Sequence, residues 1–553
     1  MSTSNRRHTN CHSLKEKDAG TEEETDWSDH HSISVSLPSW SSVIGYEEAD
    51  ISTMRLLRSG YPRFFRCATV RRIEEHVLEL EGIDERGVLL TPSYTSALRA
   101  RSYITGPLSN MNPEYLTRVS ALPCGVYAVT FPGENAKMAE RGRKVWQHVG
   151  DIVSSRRAED CLKMIKAICG NSNTAPDCTE DTTQYEKKSA DIWKDVEKLE
   201  NRIRSYYPNS EGVHLCPSGM SSISKSFRAA QALRPGGKII VFGFPYLDTL
   251  KIVKEKGLNL SGEYEFYPDG GKEDILRLAA SLRKWGGSSV SCVITEFPTN
   301  PLLKTIDLCA LSEITTSHSI PLIVDDTIGG FHNLDLTKVK GGGVSMVATS
   351  LTKLFSGASD VIAGSCIVLK GEHGEGLERV MEGDEDEKSK NNSALYHSDV
   401  TTLLRNSEDY GERQQEINRK ASKVVKYLRS KKAIGLVDDV YYCDGGGIFD
   451  KYLRKESPGV GFGGLVSFCL SRERLNTPVF YDALRMCKGP SLGTNFSLCM
   501  PYTMLAHYNE LKEVEKLGVR RDLLRISIGC DDGDEDDLPL VLEEAFESAR
   551  VIH

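Results

Sequence analysis

Five short apolar runs, separated by text of helical period, fill the middle of this chain and constrain its fold more than any other feature. They are Gly212-Val213-His214-Leu215, Lys238-Ile239-Ile240-Val241-Phe242, Val290-Ser291-Cys292-Val293-Ile294, Pro321-Leu322-Ile323-Val324 and Val344-Ser345-Met346-Val347-Ala348. A strand reached through a helical crossover pairs in parallel with its predecessor and is covered on both faces, so its run is apolar throughout. Residues 222–233, 247–256 and 273–285 each have the length of one crossover helix. In open sheets of this kind ligands bind beyond the strand ends, which makes the residues following each run the candidates for function.

At 553 residues the chain exceeds one ordinary domain, and four parts are expected. Residues 1–35 are mostly polar, cannot offset their ordering entropy by burial, and read as a disordered tail. Residues 36–207 read as mainly helical, with Ile192, Trp193, Val196, Leu199 and Ile203 at helical spacing. Within them, 171–183 reads as an exposed insertion. Residues 208–385 form the large domain built on the apolar runs, and the acidic run Asp384-Glu385-Asp386-Glu387 marks its boundary with a C-terminal domain over 386–553.

A formal net charge of −9 offers no positive field for nucleic acid. The N-terminus lacks the apolar core of a signal peptide or membrane span, so a cytoplasmic location is expected by default. The fifteen cysteines are odd in number and irregularly spaced, and read as free thiols. Neither they nor the thirteen histidines show metal-ligand spacing, so no metal is expected. What remains is a small-molecule ligand.

One constellation carries chemistry. A lysine set among hydroxyls, Thr349-Ser350-Leu351-Thr352-Lys353, follows one apolar run, and the run at 321–324 ends in Asp325-Asp326-Thr327. An acid at that place ordinarily caps a helix. Paired with a lysine it acquires a second meaning, because pyridoxal phosphate requires a Schiff-base lysine and an acid at its pyridinium nitrogen. A third element, Cys216-Pro217-Ser218-Gly219-Met220-Ser221-Ser222, joins a strand to a helix through a glycine turn, where backbone amides and the helix dipole favour an anion. Ser350 and Thr352 are placed to add hydroxyl donors.

These residues, with Tyr61-Pro62-Arg63, Tyr246-Leu247-Asp248-Thr249, Glu296-Phe297-Pro298-Thr299-Asn300-Pro301, Ser491-Leu492-Gly493 and Arg525-Ile526-Ser527-Ile528-Gly529, occur in the order seen in the Cys/Met-metabolism (trans-sulfuration) family of pyridoxal-phosphate enzymes. The resemblance runs from about residue 36 to 538. Leu37-Pro38-Ser39-Trp40, Gly45-Tyr46-Glu47-Glu48, Lys488-Gly489-Pro490 and Ala506-His507-Tyr508-Asn509 are similar to the fungal cystathionine γ-synthase branch.

The resemblance implies a fold-type I (aminotransferase-like) α/β architecture, with a large, mostly parallel sheet flanked by helices and a smaller C-terminal α+β domain. It makes Lys353 the Schiff-base lysine, Asp325 the partner of the ring nitrogen and Tyr246 the aromatic that stacks on the ring. Ser218, Gly219, Met220, Thr327, Ser350 and Thr352 join the cofactor set, chiefly around the phosphate, and Asn300 lies near the ring hydroxyl. Tyr61 and Arg63 reach the cofactor phosphate of a neighbouring subunit, which implies a homo-oligomer, with a dimer as the minimal unit and a tetramer as the expected assembly. Arg525 and Ser491 hold a substrate α-carboxylate. The implied reaction is γ-replacement on an O-acyl-L-homoserine by L-cysteine, giving L-cystathionine. Sulfhydrylation, γ-elimination or a specialised γ-replacement on the same cofactor, and a catalytically silent binding protein on the same fold, are the alternatives. Many family members carry a glutamate where this chain has Thr494-Asn495-Phe496, so recognition of the second substrate is expected to differ there.

Overall fold

The computed structural model describes residues 31–551 apart from 58, 82–85, 107–116, 171–181, 259–261, 384–394 and 531–536. Most of the expected tail, most of the 171–183 insertion and the acidic run lie outside the described residues. Fifteen strands form three sheets among the described residues. The first holds β1 (Arg86–Thr91), β2 (Arg118–Leu122) and β3 (Val126–Pro132). The second holds β4 (Ser210–Cys216), β5 (Lys238–Phe242), β6 (Tyr264–Tyr267), β7 (Val290–Glu296), β8 (Leu322–Asp325), β9 (Met346–Thr349) and β10 (Gly364–Leu369). The third holds β11 (Val437–Tyr441), β12 (Leu465–Leu470), β13 (Cys487–Lys488), β14 (Leu498–Pro501) and β15 (Leu524–Ser527).

The seven-stranded sheet has the order β4-β10-β9-β8-β7-β5-β6, parallel from β9 through β6 and antiparallel at β10. Its five expected runs are β4, β5, β7, β8 and β9. Side chains alternate between two cores with the period of a strand: Ile239, Val241, Ile294, Ile323 and Met346 enter one, and Ile240, Phe242, Val293, Val324 and Val347 the other. Both faces are therefore dry, which accounts for the continuous apolar runs. Helix Gly219–Leu233 crosses between β4 and β5, with Ile223 and Phe227 buried against the first core. Helix Leu247–Lys254 leads toward β6, and helix Lys272–Trp285 toward β7.

Three expectations need correction. Residues 31–35 are not part of a tail: Ile33 and Val35 are buried, the Ile33 amide donates to the Ser359 carbonyl, and Val35, Leu37 and Val43 enter the core of the C-terminal domain. Three apolar residues in six are enough to fix a segment that looks polar in composition. Residues 36–207 are mostly helical but also contain the antiparallel sheet β1-β3-β2. One face of that sheet, with Leu89, Val129 and Phe131, packs with Ala97, Ile104 and Met138 from helices Tyr94–Thr105 and Ala136–Lys144; the other, with Val88, Leu90 and Ala128, packs with Ile73, Val77, Cys161 and Ile165 from helices Ala68–Glu81 and Ser155–Gly170. The C-terminal core also begins later than residue 386. Leu395, Val400, Leu403 and Tyr410 belong to the large-domain core, whereas Ala421, Val424 and Leu428 are the first residues of helix Tyr410–Ala433 in the second.

The C-terminal domain has the expected α+β form, with sheet order β11-β12-β15-β14-β13, antiparallel except for β13–β14. Cys292 and Cys366 form no disulfide. Among the described residues no helix is long and apolar enough to cross a membrane.

Candidate active site

Strand β9 ends at Thr349, and a tight turn follows in which the Lys353 amide donates to the Ser350 carbonyl (3.2 Å) and the Gly357 amide to the Lys353 carbonyl (2.8 Å). The turn aims Lys353 at the C-terminal domain, where Nζ donates to Ser491 Oγ at 2.9 Å. The same nitrogen stands 4.6 Å from the centre of the Tyr61 ring. Burial, with the guanidinium groups of Arg63 and Arg525 nearby, brings the amine down to a pKa of about 7. A neutral nucleophile is thus present near neutral pH, which an ordinary lysine does not supply.

A prediction follows for the cofactor-free protein. Because the pKa is depressed, Lys353 loses its proton as pH rises through about 7. Competitive acetylation read by peptide mass spectrometry should show Lys353 reaching half-maximal labelling near that pH, well below the range of an ordinary exposed lysine side chain. Titration of Lys353 alongside the exposed lysines would contradict the site described here.

Asp325 ends β8, in register with Ala348 of β9 on one side and Glu296 of β7 on the other. Its Oδ1 accepts from the Thr327 amide at 3.0 Å, and Thr327 Oγ1 accepts from the Ser350 amide at 2.9 Å, so the acid and the lysine turn are linked through one threonine. Burial raises the Asp325 carboxyl, against the lowering pull of the Thr327 hydrogen bonds. The neighbouring Asp326 faces the other way: it accepts from Thr349 Oγ1, and burial pushes it up to about 8. Glu296, raised by burial and then by Asp325, is a second buried carboxyl at this sheet edge, and its Oε2 has no hydrogen-bond partner.

The anion cradle lies at the start of helix Gly219–Leu233. Ser218 caps it, its Oγ accepting from the Ser221 amide at 3.1 Å. A side chain at residue 219 would place its Cβ 2.6 Å from Ser350 Cβ, so only glycine lets the helix start approach the lysine turn. Ser350 Oγ is buried there without a partner. Met220, in the first turn, is buried. Thr352 is spent differently: its Oγ1 donates to the Ala363 carbonyl and accepts from the Ala363 amide, bracing the turn from behind.

Arg525, on β15, is buried, with Nη1 donating to Asn300 Oδ1 (2.9 Å) and Nη2 to the Ser491 carbonyl (2.8 Å). Its guanidinium lies 4.8 Å from the Tyr502 ring centre, and its Nε has no partner. Burial lowers it to about 10, against the raising influence of Tyr502 and Glu296, and it remains cationic at neutral pH. Asn300, expected beside a ring hydroxyl, accepts from Arg525 through its Oδ1. The Thr494-Asn495-Phe496 segment is buried rather than open to a substrate: Arg413 donates to Asn495 Oδ1 (2.8 Å) and to the Leu354 and Phe355 carbonyls, tying the segment to the lysine turn.

The resemblance sends Tyr61 and Arg63 to a neighbouring subunit's cofactor; within this single chain the two lie beside Lys353 and Tyr246. Arg63 donates to Tyr246 OH at 2.8 Å and to Asp248 Oδ2 at 2.5 Å, and Tyr61 lies against Lys353. The structure therefore gathers Lys353, Ser491, Arg525, Asn300, Tyr61, Arg63 and Tyr246 about one amine, with Asp325, Thr327, Ser350 and Gly219 at the adjoining strand and helix ends. Asp248, His148 and Glu296 were not assigned a role from sequence. Asp248 and Glu296 lie inside quoted motifs, whereas His148 carries no local signal.

A buried amine beyond one parallel strand, a carboxyl on the next and an anion cradle at a helix start match the architecture of fold-type I pyridoxal-phosphate enzymes. The chain belongs to the Cys/Met metabolism PLP-dependent enzyme family, whose profile matches residues 193–547, well over half of its length. It is similar to the cystathionine gamma-synthases of Neurospora crassa (28% identical, covering 91% of this chain and 94% of that one) and Saccharomyces cerevisiae (28%, 94% and 97%). The fold is similar to that of a cystathionine gamma-lyase from Lactobacillus plantarum crystallised with L-serine (TM-score 0.52, 24% identity, 64% of this chain and 85% of that one). Pyridoxal phosphate is the cofactor expected from the family. The residues present fit it: an amine of lowered pKa, a hydroxyl without a partner at Ser350, and a glycine at the point of closest approach.

Proposed function

We propose that this chain catalyses γ-replacement on an O-acyl-L-homoserine with L-cysteine, giving L-cystathionine and the free acid. The observation that carries this reading is the setting of Lys353, a buried amine of lowered pKa with the guanidinium groups of Arg63 and Arg525 nearby and hydrogen-bonded to Ser491. Similarity over nearly the whole chain to two cystathionine gamma-synthases supports the choice of reaction within the family.

Each residue has a part. Lys353 Nζ would bind the cofactor covalently and, once displaced by a substrate amine, move protons at the adjacent substrate carbons. Bound pyridoxal phosphate supplies the electron sink that lets those protons leave. Asp325 would hold the ring nitrogen protonated, Tyr246 would stack on the ring, and Ser350 with the Gly219 and Met220 amides would hold the phosphate. Ser491 fixes the lysine amine, and Arg525 has its Nε left for the substrate carboxylate, where a charge-assisted bond is strong and directional.

The test is steady-state turnover with acetyl-, succinyl- and phospho-homoserine, each offered cysteine, sulfide or no nucleophile, with the amino-acid product identified by mass. Cystathionine should dominate when cysteine and sulfide compete. Homocysteine as the main product would make the chain a sulfhydrylase, and 2-oxobutanoate formed equally fast without cysteine would make it a γ-lyase.

A further inference from the structure

Glu296 and Asp325 end adjacent parallel strands, β7 and β8, and stand in register. Two residues back, Ile294 and Ile323 enter the same core, so the period of the strand puts both carboxyls on one face of the sheet, with their backbones about 4.8 Å apart. Both are buried, at 5% and 7% exposure. Two carboxyls side by side in a dry site cannot both ionise, and their surroundings decide which keeps the proton. Asp325 Oδ1 accepts from the Thr327 amide at 3.0 Å, a bond that favours its anion, whereas Glu296 Oε2 has no hydrogen-bond partner. Burial, and then Asp325, raise the Glu296 carboxyl well above its usual range, outweighing the Tyr246 and Asn300 amides and the charge of Arg525.

Arg525 reaches this pair from β15 of the C-terminal domain. It is buried, and its contacts among the described residues are all with uncharged groups: Asn300 Oδ1, the Ser491 carbonyl, Met500 Sδ at 2.8 Å and the Tyr502 ring, while Nε has no partner. A buried guanidinium without a counter-ion is costly and is poised for an anionic ligand. Glu296 lies within electrostatic reach of it, so an ionised Glu296 would neutralise Arg525 from inside the protein. Tyr502, the remaining titratable group that acts on both, is itself raised by burial and stays neutral.

We propose that Glu296 and Asp325 work as a dyad with one negative charge, the proton residing on Glu296, and that this proton leaves the charge of Arg525 free for a substrate carboxylate. Glu296 is a positioning residue acting through Asp325 and Arg525. The second half rests on the reading of Arg525 as the carboxylate site, and the experiment separates the two. Infrared spectra of full-length, cofactor-free protein are recorded across pH for wild type and Glu296→Gln; their difference isolates Glu296 from the other raised carboxyls, Asp326, Glu47 and Glu74. A carboxylic-acid band should be present at neutral pH and fade as pH rises, because a raised carboxyl gives up its proton on the alkaline side of its usual range. The same difference taken between Asp325→Asn and the double variant should fade at least about one pH unit lower, since the neighbouring charge is gone. A carboxylate band at neutral pH, or a midpoint unmoved by Asp325→Asn, would overturn the dyad. Should the Gln variant not fold, wild-type protein with isotope-labelled glutamate carboxyls reports the same band above the pH of about 7 at which Glu47 and Glu74 ionise.

The second arm measures, by calorimetry on the holoprotein, the binding of L-norvaline, an amino acid without a leaving group. Arg525→Ala should weaken it at least about tenfold, the loss expected for one charge-assisted contact. Unchanged affinity would overturn the carboxylate site, and with it the second half of the proposal, whatever the infrared result. On the alkaline side wild-type protein should lose about tenfold in affinity relative to Glu296→Gln, whose amide cannot acquire a charge. Parallel profiles of the two proteins, with Arg525→Ala weakened as expected, would overturn the part given to the Glu296 proton while leaving Arg525 in its place.

Discussion

Lys353→Ala protein should still bind pyridoxal phosphate but lose the protein-linked yellow absorbance, and its turnover should fall by roughly 10⁴-fold. The size follows from the two tasks assigned to one amine, covalent attachment and proton transfer, the second of which alone contributes about 10²–10⁴. The lysine turn places Nζ against Ser491 and Tyr61, with the guanidinium groups of Arg63 and Arg525 nearby. Spectra and steady-state rates on purified variant check both statements together. Persistence of the absorbance would show that a different lysine holds the cofactor.

Asp325→Asn is expected to keep the colour and lose about 10²–10³-fold in kcat, the scale seen when one preorganised polar group is removed from a reacting centre. The carboxyl is buried, and burial raises it toward the neutral form. A protonated ring nitrogen would draw it back to the anion, an exchange that an amide cannot make. The asparagine can still accept from the Thr327 amide, so the strand end should hold its shape and the loss should fall on rate rather than on folding. The check is kcat measured together with the thermal midpoint. A normal rate would remove Asp325 from its role, and a collapsed midpoint would recast it as structural.

The central sheet was legible because strands buried on both faces leave continuous apolar text, and the helices between them have the right length. The text of strand β10 around Cys366 reads as an apolar strand-like run but was not counted among the five, since it turns back antiparallel and follows no crossover helix. Strand β6, Tyr-Glu-Phe-Tyr at the sheet edge, has no apolar run to mark it. The sheet β1-β3-β2 lay in text read as helical.

The site divides in the same manner. Lys353, Asp325 and the turn at 218–220 follow strand ends, where chemistry is expected, and their grouping could be inferred before any contact was known. Ser491 and Arg525 could be placed only through the family resemblance, because their partners lie 138 and 225 residues away in sequence. The contact between His148 and Asp248 joins positions 100 residues apart and has no signature in either neighbourhood. Arg63 shows the limit most clearly. Its residue type and motif were readable, but its partners Tyr246 and Asp248 lie 183 and 185 residues away in sequence.

The account stands most directly on Lys353. The holoprotein is reduced with borohydride, digested, and mapped by mass spectrometry for the lysine that carries the pyridoxyl group. The prediction is bleaching of the yellow colour with the label on Lys353 alone; a label fixed on any other lysine, or none on a protein that turns over its substrate, would contradict it.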